Sequence, residues 1–124
     1  MEAEADLPLM GINRHLVVAD SEEEAQRVAR RAYPRWRHNM ERLWAKYDVP
    51  FPLAASLPKE WDELQGHGHA IAGTPAQVRD YIARQIEEAG ASYFVCDFAF
   101  GQMTHEEALR SAELFASEIM PAFR

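Results

Sequence analysis

Apolar and polar positions in the second half of the chain follow two different periods. Short apolar runs at Ala70–Gly73 and 93–100 are typical of buried strands, whereas apolar residues over 75–89 and about 105–120 recur at helical spacing. The predicted order is strand, helix, strand, helix. This order is typical of an α/β protein with a parallel sheet.

Local signals set the ends of these helices. Thr74 and Gln77 match a capping box with Pro75 at the first helical position, and Gly90 stands where a left-handed residue ends a helix. Thr104 begins a second capping box three residues before a glutamate, and a later proline at position 121 ends that helix. The two helices are therefore predicted from sequence on local chemistry alone.

The first half of the chain predicts one strand and one long helix. Apolar residues dominate 12–19, Ser21 and Glu24 match a third capping box, and helical spacing continues to about residue 47. Pro34 is expected to kink or split this helix. Periodicity then lapses over 48–69, which predicts a mobile, lid-like loop.

Composition narrows the classes of function. A net charge of −7 opposes nonspecific binding to nucleic acid, and the arginines near the start of the long helix alternate with glutamates. The sequence has no apolar run long enough to cross a bilayer, and we predict a soluble, cytoplasmic protein without membrane partners. His67 and His69 lack neighbouring carboxylate or cysteine ligands, so no metal site is predicted.

Four segments together resemble the C-terminal part of the luciferase-like flavin-dependent monooxygenases. They are Leu-Val-Val-Ala-Asp-Ser before the long helix, Ile-Ala-Gly-Thr-Pro-x-x-Val, Tyr-Phe-Val-Cys-Asp-Phe-x-Phe-Gly, and the segment from Ser111 to Phe123. The resemblance covers nearly the whole chain. Its most specific piece is the last segment, because Gly-Thr-Pro by itself is also a general helix start.

The resemblance implies a fold, a cofactor and partners. The implied fold is a partial (β/α)8 TIM barrel, with residues 1–124 forming the last two or three βα units of an incomplete domain. A complete barrel needs about 250 residues. Within it, 11–47 would be a strand and long helix, 48–69 the lid-like loop and 70–124 a βαβα tail. The implied cofactor is reduced FMN, or the deazaflavin F420 in some branches, and the implied co-substrates are oxygen and a small organic molecule.

The predicted site lies where strands end, because barrel enzymes place ligands at the carboxyl ends of their strands. Gly73 and Thr74 are candidates for binding the flavin phosphate, although capping alone also explains Thr74. Asp97 is a candidate because a carboxylate in an apolar strand must be paired, protonated or turned toward a polar site. The other candidates for the substrate pocket are Phe98, Phe100 and Gly101.

Two interpretations of different classes follow from the sequence. In the first, the chain belongs to a flavin monooxygenase that becomes active only when a complementing barrel chain supplies the missing units, with a flavin reductase as a further partner. In the second, it is a noncatalytic remnant or a module that self-associates to cover its sheet edges. In both, the isolated chain is expected to form oligomers and not to bind flavin by itself.

Overall fold

The computed structural model describes residues 8–123, which form a three-stranded parallel sheet with four α-helices. Residues 1–7 and 124, at the ends of the predicted 1–124 domain, lie outside the described residues. The strands are β1 (Gly11–Val18), β2 (Ala70–Gly73) and β3 (Tyr93–Asp97). The helices are α1 (Glu22–Ala45), α2 (Trp61–Gly66), α3 (Pro75–Ala89) and α4 (His105–Leu114).

Strand β1 is the centre of both the sheet and the core. It pairs in parallel with β2 along one edge and with β3 along the other. Its side chains alternate, so that Val17 packs toward α1 and α2 while Leu16 and Val18 pack toward α3 and α4. Each face of the sheet thus has its own layer of helices, and the second half of β1, from His15 to Val18, is buried between the two layers.

The predicted partial TIM barrel is wrong. Consecutive strands of a barrel are neighbours, and its helices all lie outside the wall of strands. Here the order is β2-β1-β3, so β2 and β3 are separated by the first strand of the chain, and helices cover both faces. The observed architecture is a small open α/β sheet. Apolar runs predict where strands form, but they do not indicate which strands are neighbours in the sheet.

The starts of α1, α3 and α4 agree with the local signals, whereas α4 ends at Leu114 and not near residue 120 as predicted. Helix α3 begins and ends as predicted, with the Thr74 capping box complete and Gly90 left-handed at φ 65°. The Thr104 capping box is also complete, and the Ser21 side chain accepts a hydrogen bond from the Glu24 amide. Helix α1 continues through Pro34 as one element of 24 residues, so the predicted split of this helix does not occur.

The predicted lid-like segment 48–69 contains packed structure. Helix α2 lies within it, and its Trp61 and Leu64 are buried in the core beneath α1. Phe51 is also buried, with the Arg37 guanidinium 4.4 Å from its ring centroid. Three large side chains therefore fasten this segment to the body of the protein, and its predicted mobility stays a prediction.

The C-terminal helical segment changes its winding after α4. A π-helical turn spans Phe115–Ile119, and a 3₁₀ turn over Met120–Phe123 follows it. Leu114 and Ile119 are both buried against α3 although they are five positions apart. The wider π turn accounts for this spacing, because it accommodates one more residue than an α-helical turn.

Side chains complete the sheet where strands are missing. Strand β3 ends level with His15, and beyond it the Ser111 hydroxyl accepts a hydrogen bond from the Val18 amide at 3.0 Å and donates to the Val18 carbonyl at 3.1 Å. On the outer edge of β2, the Ala72 amide donates to Gln65 and the Ala72 carbonyl accepts from Gln26. The two glutamine side chains also bond to each other at 2.7 Å.

Ser111→Ala should destabilise the fold. The substitution leaves a buried amide and a buried carbonyl of Val18 without their partner, which is expected to lower the free energy of unfolding by about 2 kcal/mol. Ser117→Ala is the matched control, because Ser117 is exposed and bonds only to the carbonyl of Glu113 in its own helix. Urea unfolding of both variants checks this, and equal losses in the two would contradict the role of Ser111.

Gly101→Ala should be more disruptive than an ordinary helix or loop substitution. Gly101 has φ 59°, and a Cβ there would overlap the carbonyl oxygen of Ala32 in α1. The left-handed conformation and the displaced backbone together should cost at least about 2 kcal/mol in unfolding free energy. Gly66→Ala is the control, since a Cβ at Gly66 meets nothing. It should leave stability unchanged or raise it by up to about 1 kcal/mol.

Candidate functional site

A histidine and a carboxylate face each other across two neighbouring strands. His15 in β1 and Asp97 at the end of β3 are register partners, and His15 Nε2 lies 3.4 Å from Asp97 Oδ2. The two atoms lie close together without hydrogen-bond geometry, and His15 Nε2 has no hydrogen-bond partner among the described residues. His15 is 9% exposed, whereas the Asp97 side chain is 30% exposed. The pair is therefore open to a ligand from the Asp97 side.

Aromatic rings surround the imidazole. The ring centroids of Trp36, Phe100 and Tyr33 lie 4.3, 4.8 and 5.9 Å from that of His15, all in edge-to-face orientation. Trp36 is half-buried, and Phe100 stacks on Trp61 behind it. We name His15, Asp97, Tyr33, Trp36 and Phe100 the His15 cluster. It combines a flat apolar surface with one proton-accepting pair.

Burial sets the protonation of the cluster. Removal from water lowers the pKa of His15, and the nearby Asp97 carboxylate raises it by a smaller amount. Burial also raises the pKa of Tyr33 to about 12, and its hydroxyl donates to the Pro58 carbonyl at 2.6 Å. The imidazole is therefore neutral near pH 7 and can accept a proton, while Tyr33 stays protonated.

The structure separates the predicted pocket residues. Asp97 and Phe100 belong to the His15 cluster, whereas Phe98 points to the opposite face and packs on Phe115 at 5.2 Å between centroids. Gly101 lies against the backbone of α1 and allows the chain to pass close to that helix. A single pocket containing all four residues is thus not formed within the described chain.

The predicted phosphate site at Gly73 and Thr74 is already occupied by capping. The Thr74 amide donates to Gln77 Oε1, the Gln77 amide donates to the Thr74 hydroxyl, and Pro75 has no amide hydrogen. A Cβ at Gly73 would lie 2.5 Å from Gln77 Oε1, so Gly73 makes room for this cap. Strand β1 also separates this turn from Asp97 by two strand spacings, about 10 Å.

Charges at the carboxyl end of β1 do not favour a phosphate. A cavity of about 210 Å³ lies there, and carboxylates outnumber cations in its lining. Arg110, its one arginine, is paired with Asp20 at 2.6 Å. The nearby Arg31 is bonded to Glu107, which also caps α4. The described residues therefore do not fit the phosphate of FMN. The acidic residues of the lining are Asp20, Glu24, Glu106 and Glu107.

Residues 8–123 offer neither a metal site nor an activated thiol. No group of three His, Cys, Asp or Glu side chains could hold a metal ion there, and the His67 and His69 rings stand 5.9 Å apart. Burial raises the pKa of the Cys96 thiol to about 11, so it is not an activated nucleophile. Among these residues no helix is long and apolar enough to span a membrane. The predicted cytoplasmic location stays a prediction.

Sequence reasoning missed His15 and Trp36. His15 stands in β1 on the same face as Val17 and Ala19, so the alternation of the strand places a polar side chain at an inward position. A buried histidine needs a partner, and Asp97 was the one carboxylate already expected to need one. The two signals were present in the sequence, but pairing them required the β1–β3 register.

Comparisons with known proteins match this chain to parts of larger proteins. No known protein-family profile matches the chain. The uncharacterised protein y4wF of Sinorhizobium fredii (strain NBRC 101917 / NGR234) is 34% identical over 119 residues, which are 96% of this chain and 34% of y4wF. The monooxygenase RslO1 from Streptomyces bottropensis superposes with a TM-score of 0.61 at 21% identity, over 92% of this chain and 31% of RslO1.

A second structure, apo-MsnO8, superposes with a TM-score of 0.57 at 22% identity, over 95% of this chain and 36% of MsnO8. The chain spans about a third of the length of y4wF, RslO1 and MsnO8. At these identities the two structures show a shared fold. The chain therefore shares the fold of one part of the monooxygenase RslO1 and of one part of MsnO8.

The free energy of unfolding should decrease as the pH is lowered and His15 becomes protonated. Because burial lowers the pKa of His15 from its ordinary 6.5, the unfolded chain binds more protons than the folded chain below that pH. The unfolding free energy should fall below pH 6.5 by up to about 1.4 kcal/mol per pH unit from this one group. His15→Gln should reduce that slope, whereas His105→Gln, at an exposed position, should retain it. Chemical denaturation between pH 5 and 7 measures both slopes, and an unchanged slope in His15→Gln would refute the assignment.

Proposed function

We propose that this chain is one part of a flavin-dependent monooxygenase of the luciferase-like kind, and that the His15 cluster forms one wall of its substrate pocket. The observation that carries the proposal is the neutral histidine beside a half-exposed carboxylate within an aromatic wall. The likeness to part of the monooxygenase RslO1 and the sequence motifs support it.

The His15 cluster suits a small organic substrate with an acidic hydroxyl or a similar proton donor. Half-buried Trp36 offers apolar contact for a flat molecule, buried Phe100 supports the His15 ring from behind, and Asp97 presents an oxygen to the substrate. Neutral His15 would receive a proton as the substrate is activated, and Asp97 would stabilise the resulting imidazolium. In this role Asp97 both orients the substrate and supports the base.

The chain needs other polypeptide segments for such a reaction. Reduced flavin, when bound, activates oxygen for transfer to an organic substrate. The Gly73–Thr74 turn does not fit its phosphate, so we propose that the cofactor, FMN or F420, is held mainly by a complementing polypeptide segment. A flavin reductase would supply the reduced form. The contribution of this chain is then the substrate wall and its proton-accepting pair.

A second candidate function is that of a noncatalytic module that associates with other copies. Strand β3 lies at the edge of the sheet, and its Tyr93 and Val95 side chains are 49% and 45% exposed. Exposed apolar strands at a sheet edge favour association. The two candidates differ in one measurable property, because only the first requires flavin binding once the missing segments are present.

The isolated chain should bind FMN with a dissociation constant weaker than roughly 1 mM, which corresponds to about 4 kcal/mol of binding free energy. Phosphate donors, ring contacts and exclusion of water normally act together, and the chain offers only part of the ring side. Fluorescence titration with FMN and absorbance titration with reduced FMN and F420 measure this. Saturable micromolar binding by the chain alone would contradict the need for further segments.

A chimera tests the monooxygenase proposal itself. In it, this chain replaces the matching third of y4wF, and full-length y4wF is the control. We expect both proteins to bind reduced flavin with micromolar affinity while the isolated chain does not. If y4wF and the chimera are folded by circular dichroism and neither binds FMN or F420, the proposal is refuted and the association module is favoured.

A further inference from the structure

The two outer edges of the sheet differ in whether side chains already bond to the backbone of the edge strand. On the β2 edge, the Gln26 side chain donates to the Ala72 carbonyl at 3.0 Å and the Gln65 side-chain oxygen accepts from the Ala72 amide at 3.1 Å, so these side chains occupy the place where another strand would pair. On the β3 edge, no described residue pairs with the outer side of the strand. The β3 sequence, Tyr-Phe-Val-Cys-Asp, also contains neither Lys nor Pro, the residues that commonly protect an edge.

We propose that β3 pairs with β3 of a second copy of this chain, antiparallel, across a two-fold axis at Val95. The two three-stranded sheets would then join into one continuous sheet of six strands. Such an interface is closed and self-complementary, because the same residues contribute from both copies. The inference depends on the strand edge alone and holds whether or not the chain takes part in flavin chemistry.

The residues of β3 fit this register. With the axis at Val95, Val95 stands opposite its own copy, and Tyr93 stands opposite the partner's Asp97. On the other face Phe94 stands opposite the partner's Cys96. No like charges face each other, and the Tyr93 ring lies over Gly11 of β1, so it leaves the outer edge of β3 open for a second strand. A register displaced from Val95 would lose this symmetry of apolar and polar pairs.

The surroundings of the strand also favour a partner. Next to β3 lies an open groove of about 790 Å³, which is mainly apolar. Its floor includes Ile82 and Ile86 from α3, Phe115 from the turn after α4, and Phe98 from the loop after β3. Contiguous apolar surface of this kind seldom remains uncovered on a soluble monomer. A second sheet edge with the same apolar residues would cover it.

The pairing would also alter the His15 cluster. Among the residues that contact His15, Asp97 is the one polar residue with a substantially exposed side chain. In the proposed register Asp97 stands opposite the partner's Tyr93. The dimer would therefore place a tyrosine from the second copy at the open side of the pair. If the cluster binds a substrate, each site would then be built from two chains.

The first test is the oligomeric state of residues 1–124 by sedimentation velocity, without flavin. Five paired residues form a small interface, so we expect dimers with a dissociation constant on the order of 10 μM. Val95→Lys places two like charges across the axis and should weaken the dimer at least tenfold. Leu109→Lys is the matched control, because Leu109 on α4 is 46% exposed, as Val95 is 45%, and it should leave the dimer unchanged.

The second test is a disulfide across the axis. In an antiparallel pair, directly opposed Cα atoms lie about 4.5 or 5.5 Å apart, and both distances permit a disulfide. Val95→Cys in a Cys96→Ser background should form a covalent dimer under mild oxidation, whereas Leu109→Cys in the same background should not. Circular dichroism and thermal unfolding establish that each variant is folded.

A folded wild-type chain that is monomeric at 200 μM would overturn the proposal. So would a Val95→Lys variant that dimerises as well as Leu109→Lys, or equal crosslinking through the two engineered cysteines. If the proposed pairing is correct, association and crosslinking appear without any flavin. Failure of the flavin experiments with y4wF would therefore leave this result unaffected.

Discussion

The central strand must have both faces and both edges covered, and the rest of the fold follows from this requirement. The second half of β1, from His15 to Val18, is buried between two helical layers, so each of its backbone amides and carbonyls needs a partner within the protein. Four-residue β2 and five-residue β3 are both shorter than eight-residue β1. The Ser111 hydroxyl supplies the bonds that β3 does not reach. Helix α4 is thereby fixed to the carboxyl end of β1.

The same requirement explains why the His15 cluster lies where it does. β3 ends at Asp97, and the chain then turns through Phe100 and Gly101 under helix α1. That turn places Phe100 against His15 and sets the carboxylate at the boundary between core and solvent. The cluster is therefore a product of how the sheet ends, and its chemistry depends on the backbone contact between Gly101 and α1.

Local features of this fold were predictable from sequence, and non-local ones were not. The Thr74 and Thr104 capping boxes depend on residues three positions apart, so their signals are complete within one turn of chain. The position of β1 between the other strands depends on pairs far apart in sequence, and the apolar runs do not encode it. The His15–Asp97 pair was not predicted, because it also depends on two residues far apart in sequence. Asp97 was found because a carboxylate in an apolar strand is anomalous by itself, whereas His15 becomes significant only once its neighbour is known.

The π-helical turn after α4 shows how one extra residue changes which side chains of a helical segment are buried. Regular helical spacing predicts Met120 on the buried stripe next to Ile119, yet Met120 is 42% exposed. Ser111 lies in α4 before this turn and faces β1, and the inserted position rotates the residues that follow, so that Ile119 faces α3. In evolutionary terms, loss of one residue between Leu114 and Ile119 would not simply shorten this segment. It would turn the last helical turn away from α3, so homologues that keep this arrangement should conserve the length of the segment more strictly than its composition.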